Sequence, residues 1–71
     1  MTERQPVSSS NVVSVGYEVD GSTLEIEFHS GGIYQYYGVP EYVHQELLGA
    51  PSIGGYFARH IKNVYPYQRI A

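Results

Sequence analysis

Residues 12–37 read VVSVGYEVDGSTLEIEFHSGGIYQYY, and the period of this stretch decides the fold. Val13, Val15, Tyr17 and Val19 fall on one side of an extended chain, with Ser14, Gly16 and Glu18 on the other. That alternation is the mark of a half-buried strand over 12–19. Asp20-Gly21-Ser22 is a turn signal. Thr23 to His29 then alternates again, setting Leu24, Ile26 and Phe28 against Thr23, Glu25, Glu27 and His29. A two-residue loop at Asp20-Gly21 pairs Tyr17 with Leu24, Val15 with Ile26 and Val13 with Phe28. A four-residue loop pairs Val19 with Leu24 instead. Both set apolar against apolar, whereas a three-residue loop without a bulge sets apolar against polar, so an even-length loop is predicted. Ser30-Gly31-Gly32 reads as a three-residue loop with glycine in the left-handed position. It pairs Phe28 with Tyr34 and Ile26 with Tyr36, turning Tyr34 and Tyr36 inward and Ile33, Gln35 and Tyr37 outward.

Outward from this meander, the period changes. Gly38-Val39-Pro40-Glu41 closes the sheet and opens a helix, with Pro40 suited to the first helical position and Glu41 to the positive end of the helix. Val39, Val43 and Leu47 recur at helical spacing, Gly49 suits the position after the helix, and Pro51 prevents its continuation. Ser52 is an N-cap for a second helix carrying Ile53, Phe57, Ile61 and Val64 on one stripe. Gly54-Gly55 in its first turn costs about 1 kcal/mol per glycine relative to Ala, which implies close backbone packing or an approaching ligand. The helix should stop before Tyr65-Pro66, leaving 67–71 as an extended tail. Residues 1–10, polar with Pro6 and a serine run, read as a flexible lead-in to a single domain over 11–71. The expected class is α+β, a three-stranded antiparallel meander followed by two helices on one face (β-β-β-α-α).

Composition bounds what such a domain can do. From its 8.0 kDa mass, a folded surface of roughly 4,450 Å² is expected, with about 60% of the unfolded area buried. That is one thin core with little room for a deep catalytic pocket. Cysteine is absent, so neither disulfides nor thiolate metal sites can staple the chain, and a cytoplasmic setting is the default expectation. No stretch approaches the ~20 mostly apolar residues of a membrane span. Met1 to Pro6 carries no apolar signal-peptide core, so no secretory signal is expected. The net charge of −3 divides unevenly: residues 1–51 carry −6, whereas 52–71 carry +3 from Arg59, Lys62 and Arg69. Such asymmetry marks either a polyanion-binding end or cations that complement a helix dipole and an acidic sheet.

Candidate chemistry is sparse. Glu25 and Glu27, with Glu18, could serve as acid and base, but nothing supplies them with a pocket, and they read as solvated charges on the outward sheet face. His29, His44 and His60 show no metal-ligand spacing. Ser52 lacks a nucleophile's surroundings, and neither Gly31-Gly32 nor Gly54-Gly55 matches a phosphate loop. Tyrosine is the outlier, with eight in 71 residues. Tyr34 and Tyr36 could stack on unpaired bases, although the register favours the core. Tyr37 is then the better stacking residue on the open face. Arg59, His60, Lys62, Tyr65, Tyr67 and Arg69 interleave cations with aromatic rings, the residue types that contact phosphate and stack on bases. Arg59 and Lys62, three apart, are expected on one side of the second helix, away from its apolar stripe. A plain solvated face is the competing reading of the same residues.

Several motifs in order carry a resemblance. Val7-Ser8-Ser9-Ser10, Val15-Gly16-Tyr17 and Leu24-Glu25-Ile26-Glu27-Phe28 precede Tyr34-Gln35-Tyr36-Tyr37-Gly38-Val39-Pro40. Ala50-Pro51-Ser52-Ile53-Gly54 and Tyr56-Phe57 complete the set, which resembles the KTSC domain family over about residues 7–68. That family is named for a C-terminal domain of some lysyl-tRNA synthetases and also occurs as stand-alone bacterial or phage proteins. The resemblance makes Tyr34, Tyr36, Val39, Pro40, Ser52, Gly54 and Phe57 its motif residues, with structural roles. Ala58 stands where many relatives carry Asn. The implied function is a small non-catalytic module binding RNA, either tRNA or a single strand, through the basic, tyrosine-bearing C-terminal region. The alternative is a protein-interaction module that uses an aromatic surface or a sheet edge. No cofactor, metal or membrane partner is expected, and the chain should be a monomer or a weak homo-oligomer.

Overall fold

A computed structural model describes residues 3–71. Met1 and Thr2, the start of the expected lead-in, lie outside the described residues. The described chain runs β1 (Arg4–Pro6), β2 (Val12–Glu18), β3 (Thr23–Phe28), β4 (Ile33–Tyr37), α1 (Glu41–Gly49), α2 (Ile53–His60) and β5 (Tyr67–Arg69). The class is α+β. Five strands form one antiparallel sheet in the order β1-β2-β3-β4-β5, so each strand lies beside its sequence neighbour. The central three are the expected meander, and the sheet is wider than expected by one short strand at each edge. Arg4–Pro6, within the expected flexible lead-in, pairs with Ser14–Gly16, and Tyr67–Arg69, within the expected tail, pairs with Tyr34–Tyr36.

The first hairpin has the pairing of the two-residue loop, Tyr17 with Leu24 and Val15 with Ile26. Its ladder stops at Glu18 and Thr23, leaving Val19–Ser22 in the turn with Val19 exposed rather than inward. A bulge at Val13 breaks the alternation further along. Ser14 pairs with Glu27, but Val12 pairs with Phe28, so Val12 rather than Val13 enters the core. The second hairpin turns through His29-Ser30-Gly31, with Gly31 at φ 107° and Gly31 N–H donating to Phe28 O at 2.9 Å. This moves the loop by one residue and the pairing by two, to Leu24 with Tyr36 and Ile26 with Tyr34. A two-residue shift preserves which face each side chain takes, so the inward set is unchanged.

The core holds Val12, Val15, Leu24, Ile26 and Tyr36 from the sheet, and Val43, Leu47, Phe57 and Ile61 from the helical half. Tyr17 and Tyr34 pack against it as expected. The Tyr17 hydroxyl donates to Val39 O at 2.5 Å, tying the sheet to the start of α1. Pro40 takes the N-cap position and Glu41 opens the helix, one residue later than expected. Gly49 is the last helical residue and Ala50 the C-cap. Ser52 caps α2 as predicted, accepting from Gly55 N–H at 3.1 Å. The apolar stripe of α2 ends at Ile61; Val64, expected on it, is 60% exposed because the helix stops at His60.

The outward sheet face differs most from expectation. Glu25 is fully buried there, not solvated. Its carboxylate accepts from Arg4 Nη1 and from Gln35 Nε2, the latter at 3.0 Å. Arg4 Nε donates to Ser14 Oγ at 3.0 Å, and that hydroxyl donates to Glu27 Oε1 at 3.0 Å. Thus β1, which carries almost no apolar surface, is fastened to β3 by charge.

His44 of α1 stacks on Tyr17 with ring centres 5.0 Å apart. Burial holds its imidazole below the usual 6.5, with nearby Glu41 opposing the shift. The unfolded chain therefore binds the His44 proton first as pH falls. Stability from this group is complete above about pH 6.5 and is lost as pH drops through the lower folded value. The thermal midpoint should fall between about pH 7.5 and 5.5, and His44→Asn should fall less. Equal falls in both proteins would refute the assignment.

Candidate functional site

One tier of aromatic rings runs across the helix-side face of β4 and β5. Alternation turns Tyr34 and Tyr36 to this face, and the β5 register brings Tyr67 opposite Tyr36. Ring centres lie 5.4 Å apart for Tyr36 and Tyr67, and 5.8 Å for Tyr34 and Tyr67. Phe57 of α2 meets Tyr36 edge-on at 5.4 Å and Phe28 at 5.2 Å. Tyr36 is buried at the inner end, and its hydroxyl is pushed up to about 12 by burial and by Tyr67 and Tyr34 beside it. Tyr67 is the outer end, 58% exposed.

Lys62 reaches this tier because α2 ends early. Both Ile61 and Lys62 donate their N–H to Phe57 O, at 3.0 and 2.9 Å, so the chain turns back over Phe57. Lys62 consequently lines two shallow hollows of about 280 Å³ each, along with Phe28, Ser30 and Phe57. The first hollow is completed by Tyr34, Tyr36 and Tyr67. The second is completed by Ser10, Asn11, His29, Gly54 and Ala58. No carboxylate lines either one. An aromatic floor beside one lysine suits a flat ring joined to an anionic phosphate.

The other expected site residues are dispersed. Arg59 lines a separate hollow with Pro51, Ser52, Gly55 and Tyr56, apart from those that Lys62 lines. His60 is exposed, its ring 4.5 Å from that of Tyr56. Tyr65 is half-buried against the core rather than at the surface. Arg69 lies on β5 opposite Tyr34, its Nε donating to Ala71 O at 2.8 Å. Tyr37 points to the opposite sheet face, where its hydroxyl donates to Gln35 Oε1 at 3.1 Å. Elsewhere, Tyr42 is exposed, and Tyr56 donates to Glu46 Oε1 at 2.7 Å. Among the motif residues, Val39 is buried and Gly54 sits against Asn11, where a Cβ would come within 3.1 Å of Asn11 Nδ2. The close approach expected at Gly54 is thus to a side chain. Asn11 and Ser30 were not singled out in the sequence; a polar loop beside an aromatic strand end is a common pattern without a specific signal.

The sequence profile of the KTSC domain matches residues 8–65. The chain belongs to the KTSC domain family. A KTSC domain protein from Yersinia pestis, known from a crystal structure, is 45% identical, with a TM-score of 0.96 over the whole of both chains. An uncharacterised protein of Stutzerimonas stutzeri is 42% identical over 69 residues, covering 96% of this chain and 97% of that one. A lysine–tRNA ligase of Nostoc sp. is 46% identical over 55 residues, which are 78% of this chain and 10% of the ligase. This KTSC chain therefore corresponds to about a tenth of the ligase's length. Among the described residues, no helix is long and apolar enough to cross a membrane, and no three His, Asp or Glu side chains gather as a metal site.

Proposed function

We propose that this KTSC domain is a non-catalytic cytoplasmic module that binds RNA, either a single strand or the unpaired parts of a tRNA. The carrying observation is the exposed ring of Tyr67, set against Tyr34 and Tyr36 in a hollow that Lys62 also lines. A stacking platform next to a phosphate-seeking cation is how sequence-tolerant single-strand binders work. The similarity to a segment of lysine–tRNA ligases supports the same class of ligand. Glu25 and Glu27 point to the other side of the sheet, and no carboxylate lines either hollow. The brevity of β1 and β5, three residues each, supports RNA over edge-to-edge pairing with a protein.

Lys62 and Arg69 are the cations nearest the platform, so a single-strand salt slope of about −1.4 is expected. A fourfold rise in salt should weaken binding about sevenfold, and Lys62→Ala should bring the slope to about −0.7. Tyr67→Ala should cost about 5- to 160-fold in affinity, the worth of one stacked base. Fluorescence anisotropy with labelled oligoribonucleotides at two salt concentrations measures all three. An absence of binding at low salt, or binding indifferent to both substitutions, would overturn the proposal.

A further inference from the structure

We infer that the hollow at Asn11 reads the identity of one RNA base, while the adjoining tyrosine-walled hollow takes the next base without discrimination. This rests on the RNA-binding reading above and adds to it a division of labour. The two hollows share Phe28, Ser30, Phe57 and Lys62 and so lie side by side. Each, at 280 Å³, falls just short of the about 300–1,000 Å³ of small-ligand sites, which suits a flat ring rather than a large molecule. Lys62 stands where they meet, as a cation on the phosphate between two stacked nucleotides would.

The walls differ in chemistry. Beyond the shared residues, the first hollow presents Tyr34 and the exposed Tyr67, with the buried Tyr36 behind them. Stacking on ring faces accepts any base, because every base has a π-face. The second presents Asn11, Ser10 and His29. An Asn amide carries donors and an acceptor on one plane, the complement of a base edge. The backbone of Asn11 is fixed: its carbonyl accepts from His29 N–H at 2.9 Å, and its N–H donates to Ser9 Oγ at 3.2 Å. Its side-chain amide enters no hydrogen bond among the described residues. Gly54 leaves room for that amide beside α2; a side chain there would press on it at 3.1 Å.

The test uses the intact chain and labelled oligo-A, oligo-C and oligo-U in anisotropy titrations. The wild-type protein should separate its best and worst base by about fivefold or more, the discrimination of one good amide–base contact. Asn11→Ala should shrink that spread below about twofold, with the salt slope and thermal midpoint unchanged. Asn11→Asp, which keeps the shape but exchanges the donor for a charge, should alter the base order and weaken all three. Tyr67→Ala should weaken all three while keeping the spread. Equal binding of all bases by the wild type, or an undiminished spread in Asn11→Ala, would overturn base reading while leaving RNA binding intact. No binding of any oligomer at low salt would overturn the RNA reading itself, and base reading with it.

Discussion

Arg4→Met is expected to lower the thermal midpoint by about 12 °C or more. Removing one partner of a buried ion pair costs about 3–5 kcal/mol, because the remaining charge is left without compensation. Glu25 is fully buried, and without Arg4 its carboxylate keeps only the Gln35 amide among its side-chain partners. The Arg4 side chain is 20% exposed on an edge strand, so water can partly replace it and the lower end, about 3 kcal/mol, applies. In a domain of this size each kcal/mol moves the midpoint by about 4–8 °C. The double replacement Arg4→Met with Glu25→Leu should recover much of the loss, since an apolar pair avoids both desolvation costs. A double-mutant cycle checks this by thermal melts. An Arg4→Met midpoint within about 3 °C of wild type, with additive substitutions, would show that the pair does not hold β1.

Phe57→Ala should remove about 4 kcal/mol, read as a lower denaturant midpoint at unchanged slope. Phe57 joins the helical half to both strand ends through its edge contacts with Phe28 and Tyr36, and it is buried. A chain of this length has about 4–10 kcal/mol in all, so the loss is a third or more of the total. Phe57→Leu keeps most of the volume and should cost about 1–2 kcal/mol, chiefly the aromatic pairs. Because Phe57 also floors both hollows, Phe57→Leu should fold and yet bind oligoribonucleotides more weakly. If Phe57→Ala cost less than about 1.5 kcal/mol, the aromatic cluster would not be the joint between sheet and helices.

The inward set of the sheet was legible because alternation survives errors of two. Leu24, Ile26, Tyr34 and Tyr36 keep their faces whether the second loop begins at His29 or Ser30. Val12 and Val13 were not separable, since a bulge swaps them without leaving a mark in two adjacent valines. Nor could β1 be found: Arg4-Gln5-Pro6 has no apolar period, and its chief partner lies 21 residues away on β3. Alternation placed Glu25 on the outer face but could not say what covers it. At the candidate site, residue type singled out Lys62 and Tyr67. The company they keep depends on α2 ending at His60, a local stop that the apolar stripe to Val64 concealed. Asn11 lay beyond reach for the same reason as Val12, since its placement follows from the bulge beside it.

The strand order has a kinetic consequence. The pairings among β1, β2, β3 and β4 each close a short loop, whereas β5 must return across both helices to meet β4. Short closures form early and long ones late, because the chain entropy of a long loop is lost before its contacts compensate. β5 is therefore expected to dock last on folding and to open first under native conditions, and Tyr67 goes with it. The aromatic platform is therefore a property of the finished sheet alone, since its outer ring rides on the strand that docks last.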